Sequence, residues 1–119
     1  MKNKTSFVQV IQTLILLGLS STALAQDCSE APVAPDLVDG ATASMDQLVA
    51  NSEEVKTFIA AADSYLDCRY AYRDTVAYKD LSRSDKGAYT DETEEVLDAR
   101  NEIGDDFNDE VAAYQAANP

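Results

Sequence analysis

The sequence predicts an all-α fold: an antiparallel helical hairpin of two long helices, with an extended N-terminal segment stapled to helix one by a disulfide. Three observations predict it. Apolar residues recur at helical spacing between Met45 and about Asp80, a stretch free of Pro and Gly. A second such stripe follows a polar break and ends at Asn118-Pro119. The chain also holds two cysteines, Cys28 and Cys68, behind a segment that reads as an export leader.

Residues 1–25 have the form of a signal peptide. Lys2 and Lys4 give a positive start, Val8 to Leu19 is an apolar run broken by Gln9, Gln12 and Thr13, and Ala23-Leu24-Ala25 offers a small-x-small cleavage site. The run falls short of the ~20 apolar residues that a membrane span needs. A lipoprotein would carry its cysteine directly after the small residues, but Gln26 and Asp27 intervene. Cleavage after Ala25 is expected to release a periplasmic or secreted chain without membrane insertion. That mature chain keeps 7 basic and 22 acidic residues, a net charge of −15. Such a charge makes phosphate backbones and anionic membranes poor partners, so no nucleic-acid binding is expected. Cationic partners remain open.

Residues 26–43 carry Pro32, Pro35 and Gly40 without helical period, and two prolines three apart favour an extended, polyproline-like path. The domain proper is 44–119, with helices at about 44–80 and 84–117. Ser44-Met45-Asp46-Gln47 has the form of a capping box. From there the stripe runs Leu48, Val55, Ile59, Ala62, Leu66 and Val76, widened by Phe58, Tyr65 and Tyr72, in steps that sum to turns of 3.6 residues. Residues 80–90, with Ser82, Ser84, Asp85 and Gly87, read as the break. Helix two begins at Ser84 or at Asp91, and its stripe is Val96, Ile103, Phe107, Val111 and Tyr114, with Leu97 and Ala99 nearby. Gly104 lies inside it, at a cost of about 1 kcal/mol relative to alanine.

Two cysteines in an exported chain most simply pair with each other. Cys68 lies 24 residues from Ser44, about 36 Å along the helix. Cys28 lies 16 residues before Ser44, and a polyproline-like chain of that length reaches close to 50 Å. The N-terminal segment can therefore double back along helix one, reversing near Gly40, and return Val33, Leu37 and Val38 to the hairpin as a third layer. Closing that loop of about 40 residues is worth roughly 4 kcal/mol in the chain-entropy model. An intermolecular bridge and a free thiol are the alternatives.

The chemistry is sparse. Without a single histidine, the commonest general base and metal ligand is missing, and Ser-His-Asp and Cys-His sites are excluded. Two cysteines alone make no structural zinc site, and no Gly-rich phosphate loop occurs. No cofactor and no catalysis are expected. Residues 80–91 resemble a calcium loop faintly, but Asp85 stands where the glycine belongs and Asp91 where the bidentate Glu belongs. The stretch from Gly104 to Glu110 is denser in acids, but helix spacing spreads its carboxylates around the cylinder; an acidic envelope protein that binds divalent cations such as calcium weakly is the alternative function. The most distinctive surface is Tyr65, Arg69 and Tyr72, joined by Arg73, because Tyr and Arg are enriched where proteins bind each other. These residues either complete the hairpin core and cover the disulfide or form a contact with a protein partner or a second copy. A non-enzymatic protein working through contact or self-association is the resulting expectation.

The leader, "PDLVDGATAS" ahead of Met45, "YLDC" late in helix one and "FNDEV" followed by Tyr114 together resemble a group of short exported helical proteins of Gram-negative bacteria. The resemblance spans most of the mature chain. It implies a helical architecture and the periplasm, and brings no catalytic signature, cofactor or site residue.

Overall fold

The structure is a computed structural model and describes residues 28–119; the leader expected at residues 1–25 lies outside the described residues. Three helices follow one another without strands among the described residues: α1 (Met45–Arg73), α2 (Val76–Lys79) and α3 (Arg83–Ala117). None is long and apolar enough to cross a membrane.

Helix α1 starts where its cap is written. The Ser44 hydroxyl accepts from the Gln47 N–H at 3.2 Å, and the Gln47 side-chain oxygen accepts from the Ser44 N–H at 2.9 Å. Two of the amides that a helix start leaves orphaned are thereby satisfied. The expected run to about Asp80 stops earlier. Asp74 caps α1, and Thr75 begins the four-residue α2, donating to the Tyr72 carbonyl and accepting from the Tyr78 N–H. A β-branched hydroxyl that bonds backbone on both sides redirects the chain there. Val76, counted in the stripe, is consequently 72 % exposed.

Helix α3 starts at Arg83, slightly ahead of either expected start. The Ser82 hydroxyl accepts from the Asp85 N–H and donates to the Asp85 carboxylate, which also places a negative charge in the first turn. Gly87 therefore lies in the helix and not in a turn.

Helices α1 and α3 pack along each other with contacts in opposite sequence order. Arg73 meets Thr90, Arg69 meets Glu92 and Thr93, and Asp63 meets Arg100. The core joins Val55, Phe58, Ala62, Tyr65 and Leu66 of α1 to Val96 and Ile103 of α3. Phe107 and Ala99 pack at its edge.

Residues 28–43 form a strap along this pair. Cys28 is bonded to Cys68, Cα atoms 5.4 Å apart, and no cysteine is free. Ala31 and Leu37 pack on the core. In mid-strap the buried Asn51 reads the backbone: its amide donates to the Asp36 carbonyl at 2.9 Å and its oxygen accepts from the Val38 N–H at 3.0 Å. At the far end the Gly40 N–H donates to the Glu110 carboxylate at 2.6 Å. A turn then closes on the Asp39 carbonyl, which accepts from Thr42 and Ala43, and delivers the chain to Ser44.

Candidate functional site

Two regions compete for the role. The first surrounds Arg69, on the inner face of α1 one turn beyond Tyr65 and Leu66. Its guanidinium carbon lies 3.4 Å from the centre of the Tyr89 ring, a close cation–π stack. Nε donates to Thr93 at 3.0 Å, and Nη2 donates to the Tyr89 carbonyl at 2.8 Å and to Glu92 at 3.1 Å. The Tyr89 hydroxyl returns a bond to the Arg69 carbonyl. Burial raises the Tyr89 hydroxyl above its usual pKa, with the Arg69 charge working against it. Tyr65 is raised for the same leading reason. Both stay neutral at pH 7, so neither is an activated base or nucleophile.

Tyr72, Tyr78 and Tyr89 complete this region, with ring centres 5.3–5.8 Å apart. Beside them opens a cavity of about 460 Å³, bounded by Arg69, Tyr72, Leu81, Asp85 and Glu92. Arg69, its only cation, is bound to Glu92, Thr93 and the Tyr89 carbonyl. The polar groups here hold the helices in register more than they await a ligand.

The four residues expected as a partner contact sit accordingly. Tyr65, Arg69 and Tyr72 are 3–7 % exposed and face α3, while Arg73 is half-buried against Thr90 and Tyr70. Their placement does not match a partner-facing patch, because a second helix covers the face they share. Of the aromatic side chains in that stretch, Tyr70 points outward, 40 % exposed, beside exposed Asp67 and Ala71.

Acidic residues are spread along exposed positions of α3, and no group of three Cys, Asp or Glu side chains converges into a metal-binding cluster among the described residues. Residues 83–91 are helical, so the faint calcium loop does not form.

The second region is the strap face. Val33 stands at its crest, 88 % exposed. On the α1 side Pro32, Val33 and Pro35 overhang a groove of about 410 Å³ floored by Phe58 and Ala61, with Glu53 and Glu54 at its edge. On the α3 side two smaller hollows, about 270 and 190 Å³, meet at Ala99 over Val96 and Ile103. Sequence reasoning placed Val33 with Leu37 and Val38 as a layer pressed on the hairpin; Leu37 packs there, but Val33 faces outward. Asn51 and Thr93, the most deeply buried polar side chains, were missed as well. They lie at helical spacing from Val55 and Val96, so the stripe itself pointed at them.

Comparison of the chain with protein-family models, with curated proteins and with solved structures finds no match.

Proposed function

We propose that the chain is an exported, non-enzymatic protein that works by contact with another protein, through the strap face and not through the stretch from Tyr65 to Arg73. In this reading residues 44–119 act as a disulfide-stapled helical hairpin, a stiff support that presents the strap. The observation that carries it is Val33, a large aliphatic side chain left 88 % exposed between two proline-walled grooves. An apolar centre ringed by carboxylates has the anatomy of a binding patch, a dry core inside a polar rim. A disulfide whose loop spans 40 residues supports an oxidising compartment outside the cytoplasm.

The test is a photo-cross-linking side chain placed at Val33 in the cell that makes the protein, with the same probe at exposed Glu94 as reference. The contact reading expects discrete adducts from Val33 and none from Glu94. Equal labelling at both positions, or none at either, would sink it.

A further inference from the structure

Resting on that reading, we propose that the occupant of the strap face is a cationic, apolar-anchored polypeptide segment lying along the seam between the strap and α3. The seam has an apolar floor, Val96, Ala99 and Ile103, and its α3 wall carries Glu95, Glu102 and Asp106. None of those three carboxylates has an ion-pair partner among the described residues; the pairs present use Lys56, Arg69 and Arg100. This wall differs from the α1 side, where Glu53 is held by Lys56 and Glu54 by Asn51.

Charge decides between occupants. A second copy would set a −15 chain against itself, and an anionic lipid surface would meet the same repulsion. A basic segment is attracted, and its apolar side chains have Val33 and the floor to cover. Spacing adds a further condition. Glu95 and Glu102 are seven helical residues apart, about 10 Å. A polyproline-like chain covers that distance in about three residues, one turn, and so brings every third side chain to the same face. Lysines or arginines three apart, with apolar residues between them, fit the seam.

The experiment uses the leader-cleaved, oxidised protein and fluorescent twelve-residue peptides. One repeats Lys-Leu-Val, one repeats Lys-Ser-Thr and one repeats Glu-Leu-Val. The first is expected to bind, and the others to bind at least about tenfold more weakly. Val33→Asp is expected to weaken the first by about fivefold or more although it adds a negative charge, a sign that pure electrostatic attraction reverses. Glu95→Lys with Glu102→Lys is expected to abolish binding, whereas Glu94→Lys with Asp98→Lys, equal in net charge and off the seam, costs no more than about threefold. Equal binding of the Lys-Ser-Thr peptide, tighter binding by Val33→Asp, or equal loss from both charge-reversed pairs overturns the proposal. Adducts at Val33 in the cell without Lys-Leu-Val binding would overturn the cationic occupant alone, and absence of both would overturn the contact reading with it.

Discussion

Gly40 lies so close to the backbone of Glu110 that a Cβ on it would land on the Glu110 carbonyl oxygen, while its own N–H donates to the Glu110 carboxylate. Its φ is not positive, so the demand is for space and not for a left-handed turn. Gly40→Ala is therefore expected to push the strap off α3 and cost about 1–3 kcal/mol, the range for overpacked sites. Gly104 is the opposite case: a Cβ there meets nothing within 4 Å, and the residue sits inside a helix. Gly104→Ala should stabilise by about 0.5–1 kcal/mol through helix propensity alone. Urea unfolding of the two variants checks both signs, and a neutral Gly40→Ala would show that the contact gives way freely.

Tyr72 holds a buried hydroxyl with no hydrogen-bond partner among the described residues. Its ring is well used, packed edge-on to Tyr78 and tilted against Tyr89. An unmet buried donor costs about 1–3 kcal/mol. Tyr72→Phe keeps the ring and removes that cost, so its unfolding free energy should be unchanged or higher by up to about 2 kcal/mol. Tyr89→Phe should be lower by about 1 kcal/mol, because its hydroxyl bonds the Arg69 carbonyl at 2.8 Å. A loss in Tyr72→Phe as large as in Tyr89→Phe would refute the distinction.

Much of this architecture was legible in the sequence because apolar period and capping chemistry are local. Ser44 and Gln47 announce the first turn of α1, and Phe58, Ala62, Tyr65 and Val96 fall where the stripe puts them. The disulfide was legible from compartment and reach. The bend after Arg73 was not. Asp74 and Thr75 are weak helix formers without being breakers like Gly or Pro, and the hydroxyl of Thr75, bonded at once to Tyr72 and Tyr78, ends the run. The choice between the two readings of Arg69, core cover or partner contact, was not legible for a related reason. Arginine on a helix reads as surface, and its burial depends on Tyr89, Glu92 and Thr93, which a fold brings together from twenty or more residues away.

Alkaline pH should destabilise the fold through Tyr65 and Tyr89. Desolvation holds Tyr65 and Tyr89 above the ordinary value of 10.0, while in the unfolded chain they ionise near it. The stability this contributes is fully present below pH 10 and is lost as pH rises from there through the folded values, because the unfolded state gives up its protons first. Urea midpoints measured from pH 8 to 12 should fall above about pH 10. Tyr65→Phe should flatten that fall while leaving the midpoint at pH 8 little changed, since its hydroxyl makes only a 3.5 Å contact with Glu92. An unaltered slope in Tyr65→Phe would remove it as a source.

The strap is held at one end by a covalent bond and in the middle by one side chain, and the two should be coupled. Asn51→Ala strips partners from the Asp36 carbonyl and the Val38 N–H together. A cost of about 2 kcal/mol is expected in the oxidised protein. Asn51→Asp should be no better, because its new carboxylate faces the Asp36 carbonyl and lies beside Glu54. Cys28→Ser with Cys68→Ser should cost up to about 4 kcal/mol, the loop-closure value for 40 residues. If the strap packs as one layer, freeing Cys28 already lets the Asp36–Val38 stretch lift from Asn51 part of the time. The combined variant should then cost at least about 1 kcal/mol less than the separate costs added together. Strict additivity in urea unfolding would mean that the disulfide end and the middle of the strap dock independently. Val33, which lies between them, would then be presented by the disulfide end alone.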